Sequence, residues 1–178
     1  MILRGEATMA IAGGIFLLLD PFTHIGFSQA QALSDDGKSY VFDERAKGTV
    51  LAEGAGLVLL KDYDAAVQDG DQIIAVILGS AVNNDGHTMG LTVPNPDGQK
   101  AVIEAALTQS NVTPDVIGYL EAHGTGTLLG DPIEIKAATE VYQQFTAETQ
   151  YCAVGSVKSN VGHTMLAAGI AGLSKLIL

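Results

Sequence analysis

The stretch Tyr119-Leu-Glu-Ala-His-Gly-Thr-Gly-Thr-Leu-Leu-Gly-Asp-Pro-Ile-Glu134 decides how the rest of this chain is read. A strand predicted over Val116–Ala122 runs into His123. Gly124, Thr125, Gly126 and Thr127 form a loop of small residues. A helix predicted over Asp131–Phe145 then begins, with Asp131 at the cap, Pro132 at the first helical position and Glu134 at the third. Capping alone accounts for Asp131 and Glu134, at about 1 kcal/mol. It leaves the loop before them unexplained.

A second stretch, Val154-Gly-Ser-Val-Lys-Ser-Asn-Val-Gly-His163, repeats that outline. A strand over Tyr151–Val157 enters a loop bearing Lys158 and His163, and an apolar helix over Thr164–Leu178 follows. Working outward, Ala7–Ile15, Gly54–Lys61 and the β-branched run Ile73–Val82 read as strands. Asp62–Gln68, closed by Asp69-Gly70, and Gln99–Gln109 read as helices. Asn83–Asp97 is a polar loop, and Pro21–Gly48 is mixed, with turn chemistry at Ser34-Asp-Asp-Gly37. There is no internal repeat and no low-complexity linker. The alternation argues for an α/β fold, and the continuous apolar character of the last strands predicts cover on both faces. The end at Leu176-Ile-Leu178 lacks a closing turn, and the first strand starts within a few residues of Met1. Residues 1–178 therefore read as a single partial domain, cut at both ends.

Composition narrows the function. The chain has 178 residues, of which 47% are hydrophobic and only 16% charged, so a packed core is expected and disorder is not. The formal net charge is −11, which argues against nucleic acid and anionic membrane as partners. A lone cysteine, Cys152, excludes an internal disulfide and a cysteine-rich zinc site, and a reducing, cytoplasmic setting fits. Met1–Leu19 imitates a signal peptide, but Glu6 sits in the would-be basic region and Gly13-Gly14 breaks the apolar run. No apolar run reaches the roughly 18 residues of a spanning helix.

In open α/β sheets ligands gather beyond the carboxyl ends of strands. His123, Lys158 and His163 are all expected at such ends. Two neutral imidazoles there can donate hydrogen bonds to an oxygen that gains negative charge, and a nearby lysine keeps them neutral. The loop glycines let an extended substrate lie against the backbone. The bland reading of each histidine is a hydrogen-bonded polar residue at a strand end. A metal site lacks a third ligand at suitable spacing. Gly-Thr-Gly-Thr lacks the Lys-Ser/Thr ending of a phosphate loop and the third glycine of a dinucleotide fingerprint. Cys152 falls inside a predicted strand, where burial leaves a thiol inert.

These residues resemble the β-ketoacyl synthases, the condensing domains of polyketide and fatty-acid synthases. Glu121–Glu134 is similar to the first histidine motif of that family, and Gly155–His163 to its lysine–histidine motif. Ala12-Gly-Gly, Gly26-Phe-Ser, Leu33-Ser-Asp-Asp-Gly, Phe42-Asp, Glu53-Gly-Ala-Gly, Gly79-Ser-Ala-Val-Asn-Asn-Asp-Gly86 and Gly90-Leu-Thr-Val-Pro94 extend the likeness along the chain. The Gly-Thr-Gly-Thr and Gly-Asp-Pro-Ile-Glu wording is that of multidomain polyketide-type enzymes.

The resemblance implies a thiolase-like layered αβαβα fold, present in part: the end of its first half and most of its second. It implies decarboxylative Claisen condensation of an acyl group with a malonyl unit, both presented as thioesters. The partner is acyl carrier protein, whose phosphopantetheine arm carries the substrate. No bound cofactor is implied, and the complete domain is a homodimer. By motif position His123, His163 and Lys158 are catalytic, Thr125, Thr127 and Thr92 contact the phosphopantetheine arm, and Asp131 and Glu134 support the loop. The nucleophilic cysteine of the family belongs shortly before the Ala-Gly-Gly strand, and this chain has none there. Thr49-Val-Leu-Ala52 also departs from the glycine-containing form usual before Glu-Gly-Ala-Gly. The alternatives are a non-catalytic remnant, a truncated gene product and a malonyl-carrier-protein decarboxylase.

Overall fold

The computed structural model describes residues 1–86, 88, 90 and 93–178. Strand β1 (Met9–Phe16) and strand β2 (Gly54–Lys61) pair antiparallel, from Met9 opposite Lys61 to Phe16 opposite Gly54. Helix α1 (Phe22–Gln29) lies in the segment whose sequence reads as mixed, and helix α2 (Tyr63–Asp69) follows β2. The Asp62 carboxylate caps α2 by accepting from the Ala65 N–H, and Gly70 closes it at φ 71°. Helix α3 (Pro96–Ser110) starts at an Asn95 cap with Pro96 at its first position.

The second sheet is a parallel pair, strand β3 (Tyr119–Glu121) and strand β4 (Ala153–Gly155), joined through helix α4 (Gly130–Tyr142). This is one strand–helix–strand unit. After β4 come the single-turn helix α5 (Lys158–Val161), a 3₁₀ turn over Met165–Ala167 and helix α6 (Ala168–Ile177). That last turn and α6 cover one face of the β1–β2 sheet. The approach is close enough that a Cβ on Gly14 would sit 2.5 Å from the Leu166 carbonyl oxygen, and one on Gly56 would sit 2.9 Å from the Ile170 side chain. The other face is bare: Ile11, Leu57 and Leu59 are 72%, 75% and 66% exposed.

Several sequence expectations are corrected. Ile73–Val82 forms no strand, although its composition favours one. It runs past α3, with the Ser80 N–H donating to Gln109 Oε1 at 2.7 Å, and most of its apolar side chains face solvent. Strand geometry needs a ladder partner, and the described residues offer none. The strands expected over Val116–Ala122 and Tyr151–Val157 pair with each other over only three residues each. Cover on both faces is also not seen, since Val154 is 44% exposed. The helix after the Thr127 loop begins at Gly130, one residue early, so Asp131 is inside the helix and does not cap it.

Candidate active site

The segment 48–52 sets the floor of the site. The Gly48 N–H donates to the Gly126 carbonyl at 2.9 Å, and the His163 N–H donates to the Val50 carbonyl at 2.7 Å. One short extended stretch thus holds both motif loops. Gly162 turns the chain into His163 at φ 80°, where a Cβ would lie 3.0 Å from the Val50 oxygen and from Ala52 Cβ. Both the conformation and the space require glycine.

The first loop is wired from beneath by two carboxylates on α4. Asp131 is 3% exposed. Its oxygens accept the backbone N–H groups of Phe42 (2.9 Å), Thr125 (3.1 Å), Gly126 (3.1 Å) and Thr127 (3.3 Å). Glu134 accepts from the N–H groups of His123 and Gly124, at 2.6 and 2.8 Å. Six N–H donors with no helix or sheet partner are satisfied this way, and no water is needed. Thr125 and Thr127 bring their hydroxyl oxygens to 3.2 Å of each other, and Thr127 Oγ1 accepts from the Gly130 N–H.

The rings of His123 and His163 stand edge to face, with centroids 5.5 Å apart and planes at 84°. His163 Nδ1 accepts the Met165 N–H at 3.1 Å, so the neutral ring carries its proton on Nε2. Lys158 is 4% exposed, and its Nζ donates to the His123 carbonyl oxygen at 2.6 Å. Ser156 Oγ donates to the same oxygen and to the Gly124 carbonyl. Burial, seconded by the Lys158 charge, holds both imidazoles below their ordinary range, and His163 is pushed down to about 4. Burial also lowers Lys158, against the opposing pull of Glu134, Glu121 and Asp131. At neutral pH the site is two uncharged ring donors beside a buried lysine. That arrangement can donate hydrogen bonds to an oxygen that gains negative charge.

Two family models match the chain end to end: the β-ketoacyl synthase N-terminal domain over residues 1–66 and the C-terminal domain over residues 74–178. The chain belongs to the β-ketoacyl synthase family. It is of the polyketide type. Polyketide synthase ThaG of Burkholderia thailandensis is 50% identical over 98% of this chain, and polyketide synthase PksM of Bacillus subtilis is 48% identical over 98%. A ketosynthase from module 6 of the bacillaene synthase of Bacillus subtilis superposes with a TM-score of 0.97 at 43% identity over 99% of the chain. A module 1 ketosynthase of the bacillaene synthase from Bacillus amyloliquefaciens gives 0.91 at 44% identity. The fold is therefore the thiolase-like ketosynthase fold in part. This chain spans 31% and 33% of those two ketosynthase chains, and 3% and 4% of the two polyketide synthases.

Within this ketosynthase segment the structure brings His123, His163, Lys158, Thr125, Thr127, Asp131 and Glu134 to one corner. Thr92 lies outside the described residues. Cys152 is not the buried strand residue its sequence suggests. It sits one residue before β4, half-buried, beside Tyr142 and Tyr151 in a shallow apolar pocket. Burial nevertheless raises its thiol above the ordinary value, so the thiolate is scarce. Two residues of the corner escaped the sequence reading. Phe42 takes a left-handed φ of 55° to aim its N–H at Asp131, and nothing local announces that. Glu121 was legible in principle, as a lone carboxylate in the apolar strand Tyr119–Ala122.

Proposed function

We propose that residues 1–178 form part of one ketosynthase domain and supply the enolate-stabilising half of its active site. The substrate is a malonyl unit held as a thioester on the phosphopantetheine arm of acyl carrier protein. The bond between its α-carbon and carboxylate breaks, carbon dioxide leaves, and the electron pair moves onto the thioester carbonyl. His163 donates its Nε2–H to that oxygen, and neutral His123 donates from the perpendicular ring. The enolate carbon then attacks an acyl thioester, and that thioester's sulfur leaves as thiolate. Thr125 and Thr127 offer hydroxyls to the amides of the arm, and Thr92 is a further contact in this reading. Asp131 and Glu134 hold the loop, and Lys158 holds the His123 carbonyl and keeps both rings uncharged.

The observation that carries this reading is the perpendicular histidine pair, in which the Met165 N–H occupies His163 Nδ1 and so leaves the ring proton on Nε2. Cys152 is not the acyl-holding thiol, because its sulfur is raised in pKa and belongs to a different pocket. The acyl thiolate comes from the remainder of a complete ketosynthase, which works as a cytoplasmic homodimer. Among the described residues no helix is long and apolar enough to cross a membrane.

The test is decarboxylation of malonyl carrier protein, followed as release of labelled carbon dioxide. The chain is assayed alone and with the rest of a ketosynthase supplied separately. Loss of release in both His123→Ala and His163→Ala supports the reading. Undiminished release in either variant overturns it.

A further inference from the structure

The segment that carries Lys158 and the strand that leads into His123 are fastened through the carboxylate of Glu121. The Glu121 side chain is 5% exposed. Its Oε1 accepts the Val157 N–H, one residue before Lys158. Its Oε2 accepts the Tyr119 hydroxyl at 2.8 Å and meets Lys175 Nζ at 3.1 Å. Lys175 belongs to α6, the helix that follows His163, and its Nζ stands 5.5 Å over the Tyr119 ring. Two glycines make the room. A Cβ on Gly155 would lie 2.5 Å from the Tyr119 hydroxyl and 3.3 Å from Lys175 Nζ, and one on Gly172 would lie 3.3 Å from Glu121 Cγ. One carboxylate therefore ties together β3, α5 and α6, the three segments that lead into His123, bear Lys158 and follow His163.

The geometry points to Glu121 and Lys175 as positioning residues that hold Lys158 and the histidine pair in register. This rests on reading those three as the reacting groups. Val157 is the hinge of the argument. Its N–H has no helical partner at the start of α5, and Glu121 is its acceptor. Fixing that N–H fixes the next residue, whose Nζ reaches back to the carbonyl of His123, two residues past Glu121 and just beyond the end of β3. Without the tie, α5 can drift, Lys158 leaves the His123 carbonyl and water enters. The groups facing the histidines are Lys158, Glu134 and Asp131. Loss of the lysine and of burial would raise both titrations toward the ordinary 6.5.

The test follows exchange of each imidazole C2 hydrogen for deuterium against pH, read by peptide mass, which works even if the chain associates. In Glu121→Leu/Lys175→Met the acceptor is replaced at similar volume, and apolar replacements of buried ion pairs commonly fold. The His163 midpoint should rise by about one pH unit or more, with His123 moving the same way. In Glu121→Gln/Lys175→Met the amide oxygen still accepts the Val157 N–H, so the midpoints should return to near their wild-type values. A folded Leu/Met variant with unmoved midpoints overturns the proposal, and so does a Gln/Met variant that behaves like the Leu/Met one. If the Leu/Met variant does not fold, Glu121→Ala/Lys175→Met decides: it also removes the acceptor and must raise the His163 midpoint, and no movement overturns the tie. The readout needs no turnover, so a failed decarboxylation assay leaves it standing.

Discussion

The loop at residues 123–131 and the run at residues 73–82 invert the usual relation between sequence and surroundings. The loop is polar, glycine-rich and without regular structure, yet its N–H groups are matched to Asp131 and Glu134 and the carboxylate of Asp131 is buried. The run Ile73-Ile-Ala-Val-Ile-Leu78 is apolar and β-branched, yet it pairs with nothing among the described residues, and Ile74 is 73% exposed. The loop's own five donors find acceptors within 11 residues along the chain. A strand needs a partner from distant chain, and the described residues do not supply one for this run.

The sharpest way to break the contrast is to remove the hub of the loop. In Asp131→Ala, four N–H groups lose one buried acceptor, each bond to a charged group being worth about 1.5–3 kcal/mol before relaxation. A loss of about 3–5 kcal/mol in unfolding free energy is expected, with Asp131→Asn intermediate. Against typical domain stabilities of about 5–15 kcal/mol this removes a large share of the total. Urea titration showing a change below about 1 kcal/mol would mean the loop is held by something else.

The bare sheet face probes the other side of the comparison. Ile11 and Leu59 lie directly opposite in the β1–β2 ladder, both largely exposed. An apolar face of this kind drives association. Sedimentation velocity should show the wild-type chain associating at micromolar concentration. Ile11→Lys/Leu59→Glu, a cross-strand charge pair, should be monomeric with little change in melting temperature. A wild-type chain that sediments as a single monomer refutes the expectation.

A smaller effect lies in pH. His163 titrates at about 4 in the folded chain, below its ordinary 6.5. The unfolded chain thus binds this proton first as pH falls, and the native state loses stability between pH 6.5 and 4. One pH unit corresponds to about 1.4 kcal/mol, so the ceiling is about 3 kcal/mol, reduced by the partial exposure of the ring. Thermal melts should show a constant difference between wild type and His163→Gln above about pH 6.5, with the wild type losing ground steadily as pH falls toward 4. Parallel curves would place His163 in an ordinary aqueous setting.

What could be read from sequence followed the same division. β2 was legible to the residue, because alternating Leu and small residues suit a sheet with one covered face. The α2 ends were legible because Asp62 and Gly70 carry their own capping chemistry. The convergence of His123, Lys158 and His163 was legible from two matched loops. The hold of Asp131 on Phe42 was not. Asp131 has the composition of a cap, and only the folded position of a segment 89 residues away shows that it also holds the Phe42 N–H. Ile73–Val82 misled for a related reason: propensity records what a segment suits, and a ladder depends on what stands beside it.

The smallest expected effect belongs to Cys152, and it separates two readings of the chemistry. Condensation as this family performs it requires a thiolate to hold the acyl group. Cys152 is the one thiol in the sequence. Burial raises its pKa, its Sγ contacts the Ala153 carbonyl at 3.6 Å, and its pocket is lined by Leu120, Tyr142 and Val154, not by the histidines. Among the described residues no cation stands beside it to favour the charged form. Cys152→Ala should therefore leave malonyl decarboxylation unchanged and cost little stability, since the side chain is half-buried and small. Incubation with a labelled acyl thioester, followed by intact mass, should show no stable adduct. An adduct on Cys152 with β-ketoacyl product, both lost in Cys152→Ala, would make the pocket beside α4 the acyl site. The histidine corner would then lose its claim to be the only reacting centre in this part of the domain.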